Sequence, residues 1–450
     1  MSTPAELVPD TVRRADSEHL WHPWEPLAVK DRLILTGGRD CWVRDDRGRE
    51  YLDLRAGTLN ATVGYGRTSV VEAMAAQAQR LMTWDLAEVT TAPAALLARR
   101  IASLTPPGLS RTLFCNSGSE GIEAAVKIAR MVHWINGDRD RTTIASFGEG
   151  YHGATTAGVA ATGAAFRREG AGPLPGGFVH LATPRCPDCA AGGGEHRCRV
   201  PGVAEWERRL AEVGPHTIAA IVAEPVLSVG GVIVPPEGTF ARLRELCDRH
   251  GILLIADEVA TGFGRTGAMF AFQHDLDPAT GPDLLVTAKG LSGGYAPLAA
   301  VTVREDLYQV FGRDPLLGGL RHGHTTGGHA TACAAALAVL DIVEGEDLPA
   351  RAAAIGARVL GQLREQLAGA PPVREVRGRG LLIGVEMTSP AAAQEATTVA
   401  QEAGVLVRAF GAVLTVAPPL VIAEDTALRG AAILADAVLA AGRAGAGRRA

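Results

Sequence analysis

Between about residues 68 and 335 the chain alternates two kinds of apolar pattern. Ala-rich stretches at 68–83 and 92–104 are amphipathic with helical spacing, whereas Thr112–Cys115, Thr143–Ser146, Ile218–Ala223, Ile252–Ala256 and Leu284–Thr287 are short runs with few polar breaks. The first kind predicts helices with one buried stripe, the second strands buried on both faces. Their alternation predicts an α/β fold with a mostly parallel sheet covered by helices. On either side the pattern changes. Residues 1 to about 30 read as irregular, and "LILTGGRDCWVRDDRGREYLDL" alternates like a β-hairpin with Asp-Arg-Gly turn chemistry. After about 333 comes one long Ala/Leu/Val helix to about 368, strands around 380–387 and 404–416, and a last helix from about 424. The tail "AGRAGAGRRA" has too little apolar surface to stay packed and is expected to fray. The expected organisation is a large domain over 69–335 and a smaller α+β domain built from 1–68 and 336–450, which suits a 450-residue chain too long for one core.

Two strand ends carry candidate chemistry. The run Leu284–Thr287 leads through Ala288 to Lys289 and a Gly-rich turn, placing a lysine at the edge where open α/β sheets bind ligands. An isolated Ala-Lys-Gly is as well explained by a surface lysine, but composition changes that reading. Of 44 basic residues only Lys30, Lys127 and Lys289 are lysine; arginine serves everywhere else. A lysine kept in such a chain points to chemistry closed to guanidinium, such as imine formation. Lys30 reads as surface. Thirty-two residues before Lys289, Asp257 ends another apolar strand, where an acid is costly without a cationic partner. A protonated pyridine nitrogen is one such partner and a structural ion pair another.

Further segments offer binding groups. Phe114-Cys115-Asn116-Ser117-Gly118-Ser119-Glu120 joins a strand to a helix, and the free N–H groups at that helix start suit a monoester phosphate, although a plain N-cap accounts for the same residues. No Gly-Lys-Ser/Thr follows, so this is not a P-loop. Tyr151 and His152 follow a strand, where an aromatic ring can stack on a planar cofactor or belong to the core. Gly262–Gly267 spells G-x-G-x-x-G, but no clear helix follows and the acid precedes the glycines, so a dinucleotide site is rejected. Cys186, Cys189, Cys198 and His196 are numerous enough for a tetrahedral zinc, but their second spacing is wrong for a usual knuckle; they read as reduced cysteines in an insertion loop, with no metal.

Charge and composition narrow the partners. Net charge is −5 with both signs interspersed, which disfavours nucleic acid, and no apolar run reaches membrane length. Seven cysteines and a start without an apolar signal segment predict a cytoplasmic protein with free thiols.

In order, "NSGSEGIEAAVKIAR", "YHGAT", "AEPV", "ADEVATGFGRTG", "AKGLSGGYAP", "HGHTTGGHATAC", "RGRGLLIGVE" and "APPLVI" resemble the class III aminotransferases. These are fold type I pyridoxal-phosphate enzymes, and the resemblance covers nearly the whole chain. It implies pyridoxal 5′-phosphate as cofactor, Lys289 as the imine-forming lysine and proton carrier, and Asp257 as partner of the ring nitrogen. It implies Gly118 and Ser119 at the phosphate, Tyr151 stacked on the ring with His152 beside it, and Val259 on the other face. Thr325 would reach the phosphate of the neighbouring subunit in a homodimer with shared active sites.

Departures from the family bear on substrate. Glutamate-using relatives carry an arginine where this chain has Thr415, and a gating glutamate within the segment that here reads Val226–Gly231. The opening "HLWHPW", with Trp24, and Arg408 in "LVRAFG" resemble the diaminopelargonic acid branch, which makes Trp24 and Arg408 substrate-binding candidates. That branch's paired tryptophans are Thr58-Leu59 here, and its acid after "YHG" is Ala154. The expected partners are a small amino donor and a ketone or aldehyde, of specialised metabolism or borne on a modified peptide. The biotin-pathway substrate is the alternative, as is an aminomutase, racemase or decarboxylase reaction on the same residues. A silent binding protein would be expected to have lost Lys289 or Asp257.

Overall fold

The structure, a computed structural model, describes residues 9–28, 32–185 and 202–447. The hairpin segment forms β1 (Leu35–Arg39), β2 (Trp42–Asp45) and β3 (Glu50–Asp53). The central sheet holds seven strands: β4 (Leu109–Cys115), β5 (Thr143–Phe147), β6 (Phe178–Leu181), β7 (Ile218–Ala223), β8 (Leu253–Asp257), β9 (Leu284–Thr287) and β10 (Ala299–Arg304). Their order is β4-β10-β9-β8-β7-β5-β6. Only β10 runs against its neighbours; β6, β5, β7, β8 and β9 pair in parallel. The carboxyl ends of β7, β8 and β9 therefore lie side by side, with Ala223 opposite Ala256 and Asp257 opposite Val286. This is the edge where parallel sheets place their ligands.

Helix Gly118–Asn136 crosses one face of this sheet, burying Ile122, Val126 and Ala129 against Val222, Ile255 and Val286. The approach is close enough that a Cβ on Gly121 would lie 2.8 Å from Val286 Cγ1. The opposite face is covered by a second buried cluster that includes Trp206, Phe240, Leu243 and Leu340.

The C-terminal part adds β11 (Val373–Arg379), β12 (Leu382–Met387), β13 (Val405–Leu406), β14 (Arg408–Phe410) and β15 (Val413–Val416). Four of them form an antiparallel sheet in the order β11-β12-β15-β14, while β13 adds to β3 in parallel. One buried cluster joins Cys41, Leu52 and Leu54 from the chain's beginning to Leu381, Val405, Leu414 and Leu434 from its end.

Four differences from the sequence reading have local causes. Residues Pro9–His19 form a helix whose basic and acidic side chains leave it little core to signal by. The long helix is two, Ala330–Gly345 and Leu348–Gln366, because Asp347 adopts a left-handed φ of 46° and Pro349 suits only a new first turn. Strand β11 went unseen because it is Arg-rich and only partly buried. The last helix continues to Gly447, into the tail expected to fray. The cysteine-rich stretch 186–201 and Lys30 lie outside the described residues, and no described helix is long and apolar enough to cross a membrane.

Candidate active site

Three strand tips and one helix start converge. Asp257 ends β8, 4% exposed, and its Oδ2 accepts a 2.8 Å hydrogen bond from His152 Nδ1. Its Oδ1 accepts from the Val259 backbone N–H at 3.1 Å. His152, itself 2% exposed, keeps Nε2 without a partner among the described residues. Burial works against the imidazolium, but the hydrogen bond and charge of Asp257 outweigh it and hold the histidine above its ordinary pKa. A buried carboxylate is thus fixed by one cation and one N–H, its remaining lone pairs free for a ligand.

Lys289 follows β9 through Ala288 and opens a single 3₁₀ turn with a strained φ of 28°. Its side chain is half-buried on the cavity wall. Burial lowers its pKa, opposed by the negative charges of Asp257 and Glu224, so its amine is shifted toward the neutral form a nucleophile needs.

At the helix start, Ser117 caps Gly118–Asn136 by accepting from Glu120 N–H at 3.2 Å, and the Ser119 hydroxyl accepts from Ala154 N–H at 3.1 Å. Gly118 must be glycine: a Cβ there would come within 2.8 Å of Val259. The open N–H groups and positive end of the helix dipole make an anion seat beside Val259.

Gly118, Ser119, Tyr151, His152, Asp257, Val259 and Lys289 all line one cavity of about 450 Å³. Thr325, Trp24 and Arg408 do not. Thr325 is exposed on a loop tied to the site by its neighbour Thr326, whose hydroxyl donates to Asn116 Oδ1 at 2.8 Å. Trp24, 58% exposed, reaches the site indirectly through Arg167, whose guanidinium lies 4.8 Å from both the Trp24 and the Tyr151 rings. Arg408 on β14 lies over Phe410 at 4.6 Å and has no carboxylate partner among the described residues.

Glu224 received no role from the sequence, although it follows β7 as Asp257 ends β8. It is buried on the cavity wall, where it accepts from Tyr151 N–H at 2.9 Å and from the backbone N–H and hydroxyl of Ser228 at 3.0 and 3.1 Å. Burial raises its pKa, with the His152 charge opposing. An acid just past an apolar strand was the signal, and it fixes the backbone that presents Tyr151. The segment Gly262–Gly267 is a turn with Phe263, Gly264 and Gly267 at positive φ, and only a short 3₁₀ helix, Ala271–His274, comes after it. No group of three or more metal-binding side chains comes together among the described residues.

A buried carboxylate with open lone pairs, a lysine shifted toward neutrality, an aromatic ring and the free N–H groups of a helix start all face one cavity, a donor set whose chemistry matches a pyridine nitrogen, an aldehyde, a planar ring and a phosphate. These residues fit pyridoxal phosphate, and the fold and site are those of a pyridoxal-phosphate-dependent enzyme. Residues 27–438 match the model of the family described as aminotransferase class-III, to which the chain belongs. It is similar to the uncharacterized aminotransferase YhxA of Bacillus subtilis, at 36% identity over 92% of this chain and 93% of that one. It is 34% identical to the adenosylmethionine-8-amino-7-oxononanoate aminotransferase of Geobacter sulfurreducens, over 92% and 94%. Among solved structures it resembles an amine transaminase of an uncultivated Pseudomonas species in its PLP-bound form, with 36% identity, 94% and 98% coverage and a TM-score of 0.86. The protein is a pyridoxal-phosphate-dependent aminotransferase of fold type I.

Proposed function

We propose that the protein transfers an amino group from a small amino-acid donor to a ketone or aldehyde of specialised metabolism or of a modified peptide. The observation that carries this reading is the contrast at one position: Thr415, where glutamate-using relatives have an arginine, is buried with its hydroxyl unpartnered among the described residues, while Arg408, paired with it across β14 and β15, is a guanidinium with no ion pair among them. Thr415 itself offers no cation for a glutamate-type carboxylate clamp, and the guanidinium on the residue paired with it is that of Arg408. Thr58 in place of an aromatic leaves that wall of the cavity open to a bulkier acceptor.

The bound cofactor supplies an electron sink for the charge left when substrate Cα loses its proton. The protein's residues supply the rest. The Lys289 amine would hold the cofactor and carry that proton from the substrate Cα to the cofactor's C4′, and Asp257, oriented by His152, would present a negative charge to the ring nitrogen. The Gly118/Ser119 helix start would hold the phosphate, Tyr151 and Val259 would flank the ring, and Arg408 would receive a substrate carboxylate. Residues 69–335 are read as the cofactor-binding domain and 1–68 with 336–450 as the smaller one, which the shared core of both chain ends supports.

Thr325 is exposed and outside its own cavity, which suits service to a second subunit. Exposed Met82 and Trp84 lie beside its loop, since Thr331 donates to the Met82 carbonyl, and an apolar patch there calls for a second copy. We therefore read the enzyme as a homodimer, and as cytoplasmic, its described cysteines being free.

The biotin-pathway reading is favoured by Arg408 and by the likeness to the Geobacter enzyme. Incubating cofactor-loaded protein with alanine, glutamate, simple amines and adenosylmethionine, and assaying for the keto co-product, separates the readings. Keto product from alanine or an amine supports the proposal; product only from adenosylmethionine selects the biotin-pathway enzyme. An isomerised or decarboxylated donor without keto product overturns both.

A further inference from the structure

Arg167 is unusual among this chain's arginines in what surrounds it. Its guanidinium lies 4.8 Å from the rings of Trp24, Tyr151 and Phe166, half-buried, with no hydrogen bond or ion pair to its side chain among the described residues. Aromatic faces attract the cation but do not accept its N–H groups, which point outward in the guanidinium plane. Burial lowers the pKa of Arg167, and no carboxylate among the described residues offsets it. Arg408 repeats the arrangement, packed against Phe410 with no hydrogen bond to its side chain among the described residues; burial and the charges of Arg55 and Arg167 lower its pKa, and the exposed Glu25 carboxylate opposes them without pairing with it. Two partly desolvated guanidiniums that repel each other beside one cavity are costly unless something anionic joins them.

We infer that Arg167 is a specificity-determining residue that receives a carboxylate at the end of the substrate remote from the reacting carbon, so that the preferred substrates carry an anionic group beyond the one held by Arg408. The inference rests on the aminotransfer reading for what the cavity does. A planar carboxylate meets the in-plane N–H groups that the rings leave free. The rings hold the guanidinium in place, so less side-chain entropy is lost on binding. Trp24, from the irregular segment that follows the first helix, then forms one wall of this anion subsite and explains why an exposed tryptophan lies over an arginine.

The competing account is that Arg167 merely staples the N-terminal segment to Tyr151. To separate them, the cofactor-loaded protein and its Arg167→Met and Arg167→Lys variants are titrated calorimetrically with glutarate, an unreactive dicarboxylate, and assayed with benzylamine as a neutral donor. Loss of a charge-assisted pair in Arg167→Met weakens glutarate by about 10- to 100-fold, Arg167→Lys recovers part of it, and kcat/KM for benzylamine changes by less than about threefold. Undetectable glutarate binding by the wild-type protein overturns the inference, as does unchanged affinity in Arg167→Met or an equal loss for benzylamine. Glutarate affinity is read whether or not any amine turns over, so an inactive protein that still binds glutarate through Arg167 counts against the aminotransfer reading and not against the anion subsite.

Discussion

The floor of the cavity and its mouth are built on opposite principles. On the floor, Asp257, His152 and Glu224 are buried and interlocked, each held by at least one hydrogen bond of 3.0 Å or less. Beyond its lining, at what we read as the mouth, Trp24, Arg167 and Arg408 are partly exposed, and the two guanidiniums have aromatic neighbours but no hydrogen-bond acceptors among the described residues. The floor's chemistry is complete once a cofactor is bound, and its groups have one arrangement. On the proposed reading, a substrate completes the mouth. Change at the floor should therefore damage every reaction equally, and change at the mouth should select among substrates.

The largest effect is expected from Asp257→Asn, which keeps the shape of the floor but removes the charge proposed to face the ring nitrogen and leaves His152 with a neutral partner. Single-turnover rates should fall by roughly 10²- to 10⁴-fold for all donors alike. A loss confined to one donor would erase the distinction between floor and mouth. Arg408→Met should act on the other side of it, raising KM for carboxylate-bearing donors by about 10- to 100-fold while kcat for neutral amines stays within a small factor.

The third effect concerns stability. Glu258, wholly buried behind Asp257, accepts from Phe272 N–H at 2.8 Å and from the Thr261 hydroxyl, and burial pushes its pKa up to about 7. The folded state thus holds this proton more tightly than the unfolded chain. Its contribution to stability is full below about pH 4.5, the usual glutamate value, and is lost as pH rises through about 7. Glu258→Gln mimics the protonated form, so denaturation measured from pH 5 to 8 should lose a slope of up to about 1.4 kcal/mol per pH unit. An unchanged slope would show that Glu258 is ionised throughout.

The contrast also explains what could be read from sequence. Lys289 and Asp257 were legible because each stands at the end of a strand too apolar to be anything but buried, where a charge demands a reason. Gly118 and Ser119 were legible as a strand-to-helix junction. Glu224 follows the same rule at β7 and was passed over, since its partners are backbone N–H groups that no sequence pattern displays. Arg167 was invisible for a different reason: in a chain with 41 arginines nothing marks one of them, and its meaning comes from rings as far away in sequence as Trp24. The helix break at Asp347 was equally hidden, because the apolar pattern runs through it and only a left-handed residue before Pro349 interrupts it.

The central claim is that Lys289 carries the cofactor and yields it to an amino donor. With only three lysines in the chain, it can be tested by loading the protein with pyridoxal phosphate, reducing with borohydride and mapping the label by peptide mass spectrometry. The account predicts the label on the Lys289 peptide and on neither Lys30 nor Lys127, and its loss when a productive donor is added before reduction. A label on another lysine, or one on Lys289 that no donor removes, would contradict it.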